Sequence, residues 1–204
     1  MNLLEADTRL HKFNQPCLTT RDVAACLNVK TVYASNILRR LAAAGRIARL
    51  GRGRWLIDLK TDPFVIAQFL TIPFSTYISL QSALYHHGMI SQIPAAIYAV
   101  TLGRTKRYKN LLGEFSVHHV MPEFFCGYES IGHPIFKIAV PEKALVDYLY
   151  LSLSRARSFK ALPELELPRS FSKKRAYSFI AKLPDGAKKI AIRRRLDEIV
   201  GGRG

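Results

Sequence analysis

The chain has 204 residues, 49% of them hydrophobic and 10% aromatic, which is enough apolar material for a packed core and excludes a disordered chain. Its 31 Lys and Arg against 15 Asp and Glu give a net charge of +16, pointing to a polyanionic partner such as nucleic acid or an anionic membrane surface. No stretch approaches the roughly 18–20 apolar residues of a membrane span, and the opening MNLLEADTRLHKF, which contains acids and no long apolar run, is not expected to act as a signal peptide. Three cysteines, Cys17, Cys26 and Cys126, have neither metal-ligand spacing nor an even count, so reduced thiols in a cytoplasmic protein are expected.

Residues 2–14 predict a first helix with Leu3, Leu4, Leu10 and Phe13 facing inward, stopped at Asn14-Gln15-Pro16 because proline cannot continue a helical ladder. Cys17-Leu18 suits a short strand. Thr19 or Thr20 then supplies a hydroxyl cap, with Asp22 in the first turn, for a helix over about 21–26 that buries Val23, Ala24 and Leu27. Leu27-Asn28-Val29 reads as a turn, since Asn tolerates the left-handed conformation. A third helix spans about 31–44, with Gly45 placed to end it. Its apolar residues Ala34, Ile37, Leu38 and Leu41 follow i, i+3, i+4, i+7 spacing and leave Thr31, Tyr33, Ser35, Asn36, Arg39 and Arg40 on or near the opposite face. Two apolar strands around Gly51-Arg52-Gly53-Arg54 predict a hairpin next, with four arginines between positions 46 and 54.

Lys60-Thr61-Asp62-Pro63 is a plausible linker, dividing the chain into domains 1–60 and 61–204. Helical character returns at 64–70 and 79–87, the second ended by Gly88. Strands are expected at 97–102, 115–120 and 135–140, with a short one at 127–131. Pro141-Glu142 opens a strong helix whose apolar run reaches Leu153, and two amphipathic helices follow at about 172–183 and 185–200, before a frayed tail at 201–204. The predicted fold is therefore α+β: a winged helix-turn-helix, then a mixed α/β domain with basic C-terminal helices.

Charge is uneven along this order. Residues 1–62 carry 11 basic against 5 acidic side chains, residues 63–154 carry 6 against 5, and residues 155–204 carry 14 against 5. The first and last segments are the ones to search for a polyanion site. In the first, Tyr33, Ser35, Asn36 and Arg39 are expected nearest the bases of double-stranded DNA, Asn36 and Arg39 matching adenine and guanine edges. Thr31 shares that face, and Thr20, Arg40, Arg52 and Arg54 are expected to hold phosphates. A second basic patch is expected from the loop Arg104, Lys106, Arg107 and Lys109, where Tyr108 can stack, and from Arg193, Arg194 and Arg195, one turn from Asp197 and Glu198.

Signs of catalysis are sparse. His86 and His87, like His118 and His119, are adjacent and point apart on a helix or a strand, His133 stands alone, and no P-loop or GxGxxG is present. Glu114, Glu123, Glu129, Glu142 and Asp147 are scattered, the last two being read as helix-terminal and surface charges. No metal and no cofactor is expected, and no enzyme. A nuclease targeted by a winged helix and an effector-responsive regulator are the alternatives.

The segment LTTRDVAACLNVKTVYASNILRRLAAAGRIARLGRGRWLI, followed by YISLQSALYHHGMI, IYAVTLGR and FKIAVPEKALVDYLYL, resembles the AbiEi-type antitoxins, the transcriptional regulators of type IV toxin–antitoxin systems. The resemblance implies an autorepressor that binds inverted repeats upstream of its own operon, and a C-terminal domain that counteracts a nucleotidyltransferase-like toxin. One departure is Lys30 at the start of the third helix, where such motifs often carry a Ser or Thr cap, a role Thr31 is expected to take.

Overall fold

The fold is described from a computed structural model, which covers residues 2–132, 135–153 and 164–201. It is α+β, and it divides into two units, Met1–Ile72 with Tyr108–Gly113 and Pro73–Arg107 with Glu114–Gly204. Where the sequence suggests a linker near residue 60, the first unit instead runs on through a further helix to Ile72.

The first unit begins with α1 (Leu3–Lys12), capped by Asn2, whose Oδ1 accepts from the Glu5 amide at 2.7 Å. α1 buries Ala6, Asp7 and Leu10, whereas Leu4 and Phe13, expected inside, are 67% and 55% exposed. An aspartate lies on the packed side because Arg46 reaches it from beyond the third helix, donating from Nε and Nη2 to Asp7 Oδ2 at 2.9 and 2.7 Å. A hydrophobic count over α1 could not anticipate a partner 39 residues away. Strand β1 (Cys17–Thr19) leads into α2 (Thr20–Leu27). Thr19, not Thr20, is the cap. Its Oγ1 accepts from the Asp22 amide at 3.2 Å while Asp22 Oδ2 accepts from the Thr19 amide at 2.8 Å, a reciprocal capping box.

Asn28 closes α2 in the left-handed conformation, φ 52° and ψ 52°, and α3 (Thr31–Ala43) follows after three residues. Val23, Ala24 and Leu27 of α2 pack with Ala34, Ile37, Leu38 and Leu41 of α3 in one core with Leu10, Ile47 and Trp55. The helix starts at Thr31 with Lys30 at the cap position offering no side-chain bond, so Thr31 does not replace the missing cap. Strands β2 (Ala48–Gly51) and β3 (Arg54–Leu56) form the expected hairpin, and β3 is the centre of an antiparallel sheet ordered β1-β3-β2. α4 (Pro63–Thr71), capped by Asp62 with Pro63 opening the helix, completes the unit.

The second unit is built on a six-stranded sheet ordered β6-β7-β5-β4-β9-β8, all of which except Tyr108–Gly113 falls within it. Its strands are β4 (Thr76–Ile78), β5 (Ile97–Thr101), β6 (Lys106–Asn110), β7 (Gly113–His119), β8 (Tyr128–Ile131) and β9 (Phe136–Ala139). β4 runs antiparallel to β5 and parallel to β9, and β5 parallel to β7. β4 is central and wholly buried, yet it is only three residues long, too short to show alternation in the sequence. The basic run expected as a loop is β6, an edge strand with Lys106, Arg107 and Lys109 exposed. Cations on an edge keep its unpaired backbone from recruiting another strand.

Helices α5 (Leu80–His86), α6 (Pro141–Ser152), α7 (Lys173–Ala181) and α8 (Ala187–Gly201) complete the unit, with α6 packed against the other three. Glu142 stands in the first turn of α6, as read from the sequence, but neither it nor Asp147 is a surface charge. Glu142, Lys143 and Asp147 are 2%, 0% and 0% exposed. Asp147 Oδ2 accepts from Tyr77 Oη at 2.9 Å and from Ser79 Oγ at 2.7 Å, and Oδ1 pairs with Lys143 Nζ. The segments YISLQS and PEKALVD thus meet in one buried network. Lys143 Nζ also lies 3.6 Å from the centre of the Phe124 ring. Gly127, at φ 71°, lets both partners close in, since a Cβ there would stand 2.6 Å from the Phe179 ring and 3.0 Å from Lys143 Cγ. Glu142 Oε1 accepts from the Ser172 amide at 2.8 Å, tying α6 to the start of α7.

Candidate nucleic-acid interface

α3 holds its outer face out by burying the opposite one. Thr31, Tyr33, Asn36, Arg39 and Arg40 are exposed and Ser35 is half-buried. Counting about 100° per residue around the axis, Thr31, Ser35 and Arg39 follow one another along the face, whereas Tyr33 stands round to the side near the buried stripe. Asn36 Oδ1 accepts from Arg39 Nη2. This bond steadies the guanidinium and uses one of the two lone pairs of the amide oxygen, leaving the second lone pair to accept and the Asn36 amide nitrogen to donate.

The hairpin is pinned to α2. The Thr20 amide donates to the Gly53 carbonyl at 3.0 Å, and Trp55 Nε1 donates to Thr20 Oγ1 at 3.0 Å. Thr20, expected to hold a phosphate, therefore also anchors the hairpin, and its hydroxyl keeps its own proton for a further acceptor. Arg54 is half-buried and donates from Nη2 to the Ile72 carbonyl at 2.8 Å, while Arg52 is exposed at the turn.

Together these elements form an open cleft of about 1030 Å³ within the first unit, lined by Thr31 and Ser35 and by Arg21, Arg39, Arg49, Arg52 and Arg54. Its single carboxylate, Asp22, is engaged in the capping box. Five guanidiniums around one concavity create a strongly positive potential, and their planar forks match phosphate geometry. Arg40, Tyr33 and Asn36 lie outside the cleft lining.

One member of this constellation, Arg21 in the first turn of α2, escaped the sequence reading. Arg49, one of the four arginines counted between positions 46 and 54, sits on β2, paired across the hairpin with Trp55 and lying 5.9 Å over its ring. Conversely, Arg46 belongs to Asp7 and not to the cleft.

The expected second patch is spread over two elements. Lys106, Arg107 and Lys109 lie on β6, with Arg104 just before it. On α8 each arginine of the triplet has its own neighbour: Arg193 lies over the Tyr177 ring at 5.5 Å, Arg194 Nε donates to Glu198 at 3.1 Å, and Arg195 Nη1 donates to Ser152 Oγ at 3.0 Å.

The histidines are dispersed. His87 Nε2 bonds to the Ala139 carbonyl at 2.7 Å, His118 Nε2 to Ser116 Oγ at 2.9 Å, and His119 Nδ1 to the Gly103 carbonyl at 2.9 Å, while His133 lies outside the described residues. Burial, followed by the Arg107 charge, pushes His118 down to about 4. Among the described residues no cluster of three or more His, Cys, Asp or Glu is arranged to hold a metal ion, and no helix is long and apolar enough to cross a membrane.

Comparison with curated proteins finds no match to the chain. Residues 8–57, the stretch from α1 to the end of β3, match the family described as transcriptional regulator, AbiEi antitoxin. The matched segment contains the helices and hairpin that build the arginine cleft, while the Tyr77 and Pro141 segments lie beyond it. Over its N-terminal region the chain is thus similar to the AbiEi antitoxin transcriptional regulators, a match that supports a regulatory role.

Proposed function

We propose that the first unit is a winged helix-turn-helix that binds double-stranded DNA, with α3 entering the major groove and the β2–β3 hairpin as its wing. The observation that carries this reading is the cleft of five arginines beside α3. Arg39, Ser35 and Thr31 are placed to meet base edges, and Arg21, Arg49, Arg52 and Arg54 to meet phosphates. Asn36 and Arg40 serve the far side of the same groove. The family match supports a role as a transcriptional regulator, and in this reading the protein represses its own operon through inverted repeats. The second unit counteracts a nucleotidyltransferase-like toxin, and the β6 and α8 cations add electrostatic affinity for the DNA.

Mobility shifts of the full chain on its upstream region, over a range of salt, test the DNA reading. Arg52→Ala with Arg49→Ala is expected to weaken specific and random duplexes alike and to lower the slope of log affinity against log salt by about 2. An unchanged slope removes the wing from the interface. Co-expression with the neighbouring reading frame tests the antitoxin part, since growth is expected to be rescued only when the full chain is present.

A further inference from the structure

The outer face of α3 carries an apolar side chain at its centre. Counting about 100° per residue, Val32 stands almost diametrically opposite the buried stripe of Ala34, Ile37, Leu38 and Leu41. Arg39 lies beside it, with Ser35 and Asn36 on either flank. At 76% exposure Val32 is the most exposed large apolar residue of α1, α2 and α3. Nothing in the fold accounts for it. Its side chain is absent from the core, and a β-branched residue on a solvent face is a weaker helix former than Ala, Lys or Glu.

We propose that Val32 is a specificity-determining residue, whose methyl groups pack against the 5-methyl group of a thymine in the major groove. The inference rests on the DNA-binding reading above. In the major groove the thymine methyl is the apolar feature of the base-pair code, and apolar side chains read it by contact. Val32 is the second residue of α3, and the first turn of a recognition helix is the part that approaches base edges. Val32 does not line the arginine cleft, but Arg39, beside it on α3, does, so the positive potential of the cleft draws a polyanion onto the helix face that carries Val32.

The test uses the full chain and the operator selected by it from random duplexes. Each thymine of that operator is replaced in turn by deoxyuridine, which removes the methyl and leaves the pairing intact. Wild type is expected to bind about fourfold more weakly at one thymine in each half of the repeat, the factor corresponding to one buried methyl. Val32→Ala, which keeps only Cβ, is expected to bind the thymine operator more weakly and to discriminate thymine from deoxyuridine less than wild type at that position, while Arg39→Ala keeps the discrimination. Wild-type binding that is indifferent to every deoxyuridine overturns the proposal, as does a Val32→Ala protein that discriminates as fully as wild type. Failure to select any sequence is a different result, because it overturns the DNA-binding reading itself.

Discussion

The two units use charged side chains in opposite ways. Around α3 and the hairpin, arginines ring an open cleft whose only carboxylate is held by a helix cap. Around α6, a lysine, an aspartate and a glutamate are buried, and each has a partner within the protein. The first arrangement leaves a field for a ligand, and the second leaves none. A charge count over the sequence cannot separate the two, because residues 63–154 come out nearly neutral whether their ions are on the surface or inside.

The largest effect is expected where charge is buried. Asp147→Ala strips Lys143 of its counterion and leaves the Tyr77 and Ser79 hydroxyls without their acceptor. A loss of about 3–5 kcal/mol in unfolding free energy follows, read from urea denaturation. Pairing it with Lys143→Met should recover much of that loss, because the cost lies in the orphaned ion. If Asp147→Ala alone is nearly neutral, the contrast between the units fails, and the α6 ions are in contact with solvent.

His118 gives the same contrast a pH signature. Burial first and Arg107 second hold it at about 4 against an ordinary 6.5, so the folded protein keeps it neutral where the unfolded chain takes up a proton. Its contribution is fully present above pH 6.5 and is lost as the pH falls toward 4, amounting to roughly 2 kcal/mol between pH 7.5 and 5. His118→Gln should flatten that part of the stability profile, whereas DNA affinity at neutral pH should not move. A profile equally steep in the variant places the acid-sensitive group elsewhere.

How much of this was legible in the sequence follows from the range of each interaction. The capped helix α2, the Asn28 turn, the stripe of α3 and the hairpin are local: each is set by residues within a turn or two of one another, and each appears where the spacing puts it. What sequence spacing could not show is contact at a distance. Asp7 turns inward for Arg46, Arg21 joins the hairpin arginines in one cleft, and Asp147 is buried by Tyr77 and Ser79, some 70 residues earlier. β4 was missed for a different reason, since a three-residue strand carries no period.

The cleft supplies the middle of the range. Arg39→Ala is expected to cost about 1–3 kcal/mol in binding the selected operator and to relax base preference at one position. Unfolding free energy should stay within about 0.5 kcal/mol, because the side chain is exposed and its partner Asn36 is exposed too. Equal losses on specific and random duplexes would move Arg39 from base reader to phosphate contact.

The smallest effect tests whether the cleft owes its shape to local structure. Thr19 Oγ1 accepts the Asp22 amide, and the Asp22 carboxylate returns the bond to the Thr19 amide. The next residue, Thr20, holds the hairpin through Gly53 and Trp55. Thr19→Ala should therefore lower stability by about 1 kcal/mol, the usual worth of a hydroxyl cap. The Asp22 carboxylate keeps its bond to the amide of residue 19, which alanine also carries, so the charge of the cleft is unchanged and operator affinity should stay within about twofold. Thr19→Ser should restore the stability. An affinity that falls in Thr19→Ala and returns in Thr19→Ser would mean that the cap also sets the position of Arg21 in the cleft.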